Sequence, residues 1–260
     1  KKSAAEPVEY IDSQAFDAAK EKIIGKSHND KGIGTLSEKT LHAVLKMYYE
    51  PDEDNHEVAI DGYFADIYNE HGIIEIQTRQ LNKLRDKLSV FLNEYQVRVV
   101  YPMPYEKYLS WIEPETGDIT SRRKSPKRCS VYDAMFELYK IKAFLKNQNL
   151  KVTLLLIDME EYKLLNGWSY DKKRGSVRYD RIPVGIRKIV ELDCPQDYMQ
   201  FVPEGLEKNF TSADFANAAH IDRQTAASVL AMLITWNRLK ESERQAMPIY
   251  TILKNIIEWR

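Results

Sequence analysis

Asp66, Glu75 and Gln77 are the residues whose types and spacing in this chain are best suited to chemistry. They lie in Ala65-Asp66-Ile67-Tyr68-Asn69-Glu70-His71-Gly72-Ile73-Ile74-Glu75-Ile76-Gln77-Thr78, which reads as strand, turn, strand. Residues i and i+2 of a strand share a face, so Glu75 and Gln77 point the same way and the turn lets Asp66 converge on them. Two carboxylates brought together on a rigid sheet repel each other unless a cation sits between them or one is protonated. A hard divalent ion with oxygen ligands, Mg²⁺ or else Mn²⁺, is the expected occupant.

The elements that must position these groups follow from periodicity. Leu41, Val44, Leu45 and Tyr48 recur at i, i+3, i+4 and i+7, which predicts an amphipathic helix over 36–49 with Ser37 as N-cap. Pro51 to Asn55 breaks it. Residues 58–68 read as two short strands joined near Gly62, and 73–77 as a third. Leu81, Leu84, Leu88, Phe91 and Leu92 return to helical spacing. Val97 to Tyr101 is a β-branched strand stopped by Pro102 and Pro104. A helix over 131–145 and a buried strand over 152–157 complete the series.

That order, α-β-β-β-α-β, together with Asp66…Glu75-Ile76-Gln77, resembles the PD-(D/E)XK nuclease superfamily over roughly residues 36–160. The resemblance implies an α/β, restriction-endonuclease-like core and Mg²⁺-dependent hydrolysis of phosphodiester bonds in DNA or RNA. It implies that Asp66 and Glu75 ligate the metal, with the backbone carbonyl of Ile76 as a further ligand. The family places Lys where this chain has Gln77. Gln77 would orient water or phosphate, but it supplies neither a general base nor positive charge. The metal and Arg79 would then carry more of the electrostatic load. Arg79 shares the face of Gln77 if the strand continues; otherwise it is an ordinary cation on the approach to a helix. The resemblance also implies a Glu of the first helix facing the metal, and Glu38, three residues before Leu41, takes that place. A first-turn Glu favoured by the helix macrodipole is the other reading, and both stay open here. His42 lines the same cleft or simply packs. Glu57 and Asp61 are spare carboxylates, Asp61 beside Gly62 having the look of turn chemistry.

Composition sets limits. A chain of 260 residues holds one large or two small domains. Hydrophobic residues make up 43%, and no apolar run is long enough to span a bilayer, so no membrane partner is expected. The opening residues, Lys1 to Pro7, are polar and lack a signal-peptide core, and the missing initiator Met is what a trimmed or processed chain would show. Two cysteines, Cys129 and Cys194, argue against a disulfide framework and for a reducing, cytoplasmic setting. Gly32-Ile33-Gly34 is not a phosphate loop, and neither an HExxH nor a Gly-x-Ser-x-Gly motif is present.

A net charge of −1 means that nucleic-acid binding must rest on local patches. Arg122, Arg123, Lys124, Lys127 and Arg128 form the denser one and are expected to contact phosphate. Tyr170 to Tyr179, with Lys172, Lys173 and Arg174, reads as an exposed hairpin or loop, a solvated charge run.

After about residue 160 the character changes, and 193–205 is breaker-rich. Thr211 and Asp214 form a capping box for a short helix, and Asp222 caps a second helix with Ala226, Val229, Leu230 and Leu233 inward. With strand-like residues near 239–243 and 248–252, this block resembles a winged helix-turn-helix domain. The resemblance implies that Arg223 and Gln224, followed by Thr225 and Ser228, face a DNA groove. A protein partner or a second copy held through the same block is the competing expectation. The domains are therefore expected at 1–35 (extension), 36–160 (nuclease-like core), 161–205 (linker and peripheral elements) and 206–260 (winged helix). The expected activity is a metal-dependent nuclease acting on nucleic acid, DNA above RNA. The alternative is a catalytically silent nuclease fold that serves as a DNA-binding regulator or an adaptor, which Gln77 in place of Lys favours.

Overall fold

The computed structural model of the chain describes residues 11–29, 39–166, 175–206 and 210–237. Ser37, Glu38 and the expected wing at 239–252 lie outside them. Two helices come first, α1 (Ser13–Asn29) and α2 (Lys39–Tyr49). Then follow β1 (His56–Ile60), β2 (Tyr63–Asn69), β3 (Gly72–Ile76), α3 (Arg85–Phe91), β4 (Val97–Ile112) and β5 (Arg123–Lys124). The remaining elements are α4 (Met135–Lys140), β6 (Leu150–Leu164), β7 (Val177–Leu192), α5 (Ser212–Ala219) and α6 (Arg223–Asn237). The protein is mixed α/β. Its seven-stranded sheet runs β1-β2-β3-β4-β6-β7, with β5 paired to β4, and the β1–β2, β2–β3 and β4–β5 ladders are antiparallel. Two compact units divide the chain: Lys1–Thr78, Val100–Cys129 and Thr153–Val190 form one, and Arg79–Val99, Ser130–Val152 and Glu191–Arg260 the other.

In the first unit the predicted apolar stripe of α2 does what its spacing requires. Leu41, Val44 and Leu45 are buried with Phe16 and Ala19 of α1 against Ile67, Ile76, Val100, Leu155, Ile157 and Met159 of the sheet. Tyr48 is only partly buried, its ring edge-on to Phe16 at 5.6 Å. The β1–β2 hairpin turns on Asp61 (φ 48°) and Gly62 (φ 84°). Two consecutive left-handed residues are what a tight primed turn needs, so Asp61 is turn chemistry rather than a spare ligand.

Three elements differ from expectation. Pro102 and Pro104 do not stop β4, which runs on to Ile112. Val100 accepts the Gln77 N–H at 2.9 Å just past the end of β3, and the Pro104 carbonyl accepts the Cys129 N–H at 3.1 Å. Proline lacks only the N–H; its carbonyl still pairs, as that of Pro104 does, and the strand continues past it. Second, β6 does not end at 157 but continues through a charged stretch to Leu164. Third, Val177 to Tyr179 belong to a long strand, β7, rather than to a solvated loop. Residues 161–205 thus hold the end of β6, all of β7 and a 3-10 helix, Pro195–Phe201.

The start of α2 is tied to β7. Asp180 accepts the Thr40 hydroxyl at 2.7 Å and also a Thr40 backbone hydrogen bond, bringing a carboxylate to the positive end of the helix from 140 residues away. Burial raises the Asp180 pKa, and its hydrogen bonds with Thr40 and Arg181 only partly offset this. With the folded pKa raised, the native state binds more protons than the unfolded chain, so this group's contribution falls as pH rises through that value. Thr40→Val should cost about 1.5–3 kcal/mol at neutral pH, the usual worth of a hydrogen bond to a charged group. The cost should shrink in acid, where Asp180 is protonated. Urea melts at two pH values read this directly.

The second unit is mainly helical around an aromatic cluster. Tyr132 packs on Phe201 (6.3 Å) and Phe215 (6.2 Å), and Tyr198 on Phe201 (6.1 Å). Tyr198 is buried, which pushes its phenol pKa up. The expected helix at 131–145 is shorter, a 3-10 turn Val131–Ala134 begun by a Ser130/Asp133 capping box and followed by α4. The Leu81 N–H donates to Glu137 at 2.9 Å. Thr211 and Asp214 cap α5 reciprocally, as their spacing dictates. Asp222 accepts the Thr225 N–H at 2.9 Å at the head of α6, and Ala226, Val229, Leu230 and Leu233 are buried.

Candidate functional site

The β2–β3 hairpin positions the two carboxylates through its register. Ile67 faces Ile74, Tyr68 faces Ile73 and Asn69 faces Gly72. The ladder ends at the Ile67–Ile74 pair, and Asp66 and Glu75 are the next residues beyond it on the two strands. At this point the Ile76 N–H is donated to the Asp66 side chain, Oδ2, at 2.7 Å. A carboxylate inserted at the end of the ladder thus takes a backbone donor of β3. The same Oδ2 lies 3.1 Å from His42 Nε2 of α2. A carboxylate only accepts, so Nε2 must be the nitrogen that carries the proton.

Burial separates the two acids. Asp66 keeps 14% of its side chain exposed, whereas Glu75 keeps 2%. Glu75 is therefore not a surface carboxylate, and truncating it to Ala would open a cavity as well as remove a charge. Gln77 is half-buried, with its backbone N–H on Val100. β3 ends at Ile76 and Thr78-Arg79 is a bend, so the alternation that would set Arg79 on the face of Gln77 does not extend to it. Ile76 contributes its N–H to Asp66. Among the described residues, no three His, Cys, Asp or Glu side chains are grouped to hold a metal ion. Asp66 and Glu75 carry hard oxygen donors, the ligand type that Mg²⁺ takes.

The basic patch is real but largely paired. Arg122 Nε lies 2.9 Å from Glu160, with its guanidinium 3.5 Å from the Tyr108 ring centroid. Lys124 (2.9 Å) and Arg128 both pair with Glu106, and Arg128 also lies over Tyr105 at 5.7 Å. Lys124, by hydrogen bond and charge, and then Arg128 hold the Glu106 carboxyl below its usual pKa. Arg123 and Lys127 are exposed and make no ion pair among the described residues. In α6, Arg223 and Gln224 are exposed, while Thr225 is buried and bonded to Asp222, so Thr225 does not face outward.

Sequence reading missed the most highly charged place in the first unit. Glu161, 3% exposed, is met by Lys107 (3.5 Å), Lys163 (3.8 Å), Arg178 (3.4 Å) and Arg181 (3.4 Å). Burial raises its pKa, but the four cations outweigh burial and hold it below the usual range. The one available signal was the run of charges on both faces of 158–163, which breaks the alternation of a half-buried strand.

Fold and site together describe a mixed α/β protein with Asp66 and Glu75 on the two strands of one hairpin of its sheet. The chain belongs to the family described as "Domain of unknown function (DUF8091)", whose model matches residues 39–193. It is also similar to an uncharacterized protein of Treponema pallidum (strain Nichols), 30% identical over 167 residues, which is 64% of this chain and 64% of that protein. The match thus spans just under two thirds of the relative's own length. No solved structure matches.

Proposed function

We propose that the protein is a metal-dependent nuclease with a restriction-endonuclease-like core, cutting phosphodiester bonds at Asp66 and Glu75. The observation that carries this reading is the placement of Asp66 where the β2–β3 ladder ends, its carboxylate on the Ile76 N–H, with Glu75 the next residue beyond the ladder on β3. Asp66 and Glu75 would hold Mg²⁺ or Mn²⁺, which when bound polarises the phosphate and lowers the pKa of water. The Ile76 N–H and His42 fix the orientation of the Asp66 carboxylate. Gln77 would position water or a phosphate oxygen through its amide. Arg123 and Lys127 carry positive charge free to meet the backbone of DNA. α5 and α6 would form the helix-turn-helix part of a winged helix, with Arg223 and Gln224 at the groove.

A second reading is favoured by specific observations. Asp66 Oδ2 already serves His42 and Ile76, and Gln77 stands in place of a cation. A silent nuclease fold that binds nucleic acid or a protein would keep this geometry without cutting. Calorimetric titration with Mn²⁺ separates the two. The nuclease reading expects saturable binding that Asp66→Asn abolishes. Absence of binding at millimolar Mn²⁺ leaves the silent scaffold.

A further inference from the structure

Glu106-Lys107-Tyr108 on β4 and Glu160-Glu161-Tyr162 on β6 repeat one small arrangement on neighbouring strands. In each, a half-buried tyrosine donates its hydroxyl to the glutamate two residues before it, Tyr108 to Glu106 at 3.4 Å and Tyr162 to Glu160 at 3.2 Å. Residues two apart on a strand share a face, so each pair stands on one side of the sheet. β5 brings cations to that side. Lys124 is directly opposite Tyr108 in the β4–β5 ladder and pairs with Glu106 at 2.9 Å. Arg122, two residues earlier, pairs with Glu160 at 2.9 Å. Its guanidinium carbon lies 3.5 Å from the Tyr108 ring centroid, and its charge acts on the Tyr162 phenol. Arg122 thus links the two units.

Shape and charge decide what this face can hold. Tyr108 and the Arg122 guanidinium are flat groups in contact, and Glu160 restrains the arginine, yet its side chain stays 50% exposed. A planar cation held in this way offers its outer side to another flat group with little ordering left to do. The charge is modest. Residues 122–128 carry five cations, of which Arg122, Lys124 and Arg128 are paired with Glu106 and Glu160. Arg123 and Lys127 are exposed and make no ion pair among the described residues. Asp158, beside Glu106, is taken by Arg187. The acids of the β4–β5 turn, Glu113, Glu115 and Asp118, lie four or more residues along the strands from Tyr108 and Arg122. At about 3.3 Å per residue that exceeds a Debye length of about 8 Å. Five cations against two carboxylates leave three positive charges.

Three charges are few for a duplex, which hides its base faces and is held through about 6–10 phosphate contacts in a typical complex. A single strand exposes its bases, and bases stack on tyrosine rings and on guanidinium planes. We infer that Tyr108, Arg122 and Tyr162 form a stacking platform for the bases of single-stranded nucleic acid, with Arg123 and Lys127 on its phosphates. The inference rests on the reading of the protein as one that acts on nucleic acid, but it does not require Asp66 or Glu75 to cut.

The test uses the full chain, with EDTA present so that binding is read without cutting. Fluorescence anisotropy compares a labelled oligothymidylate with a duplex of equal length. The single strand should bind at least about tenfold more tightly. Arg122→Lys keeps the charge and removes the plane, and at a half-exposed position it should fold as the wild type does. It should weaken single-strand binding by about fivefold or more and leave the salt dependence nearly unchanged. Tyr108→Phe keeps the ring and should bind as the wild type does, whereas Tyr108→Leu should bind more weakly. Lys127→Gln should instead flatten the salt dependence. A duplex bound as tightly as the single strand, or an abasic strand bound as tightly as oligothymidylate, would overturn the inference and leave the nucleic-acid reading standing. So would Arg122→Lys and Tyr108→Leu both binding as the wild type does. Binding of neither strand nor duplex would remove the nucleic-acid reading along with it.

Discussion

Glu161→Gln is expected to destabilise the protein by about 3 kcal/mol at neutral pH, among the largest single-site losses this chain should show. Removing one partner of a buried charge pair costs about 3–5 kcal/mol because the remaining charge is left uncompensated. The low end applies here, since the four cations keep 12–31% exposure and can turn toward water. The effect has a defined pH dependence. The cations hold the folded pKa of Glu161 below its ordinary value. Between the two values the unfolded chain binds more protons, so stability rises with pH there. The contribution is fully present above about pH 4.3, the unperturbed Glu value. It is lost as pH falls through the lower folded pKa. Chemical denaturation at pH 7 and in acid should therefore show wild type and variant far apart at the first and closer together at the second. A constant difference at both would mean that Glu161 acts by packing rather than charge.

Glu75→Gln should remove nuclease activity by about a thousandfold or more, roughly 4 kcal/mol of transition-state stabilisation. Gln keeps the shape of the buried side chain and so opens no cavity, which Ala at this 2%-exposed position would. The measurement is cleavage of single-stranded, duplex and branched DNA and of RNA with Mg²⁺ or Mn²⁺. A variant that cuts as well as the wild type removes Glu75 from the site. A wild type inert on every substrate moves the protein to the silent-scaffold reading.

Local signals in the sequence were read with good fidelity where the physics itself is local. Asp61-Gly62 forms its turn because two adjacent residues must adopt positive φ. Thr211 and Asp214 cap α5 because a side chain three residues on reaches back to the same turn. The buried faces of α2 and α6 follow from helical period. The β2–β3 hairpin follows from alternation and a short turn. Proline in β4 was misread because propensity does not know what the neighbouring chain offers. The Pro104 carbonyl still finds a partner in the Cys129 N–H, so the chain stays paired past that proline.

The sequence by itself determined the mixed α/β class and the first helix–hairpin order. Tertiary structure decided which charges matter. Lys107 reaches Glu161 across 54 residues and Arg181 reaches it across 20, and Asp180 bonds Thr40 across 140. Arg178 and Arg181, three apart on β7, would fall on opposite faces of a regular strand, yet both lie 3.4 Å from the same oxygen. Periodicity specifies which side of an element a residue occupies. Pairing between distant charges leaves no period, because it depends on which elements pack and how deeply each group is removed from water.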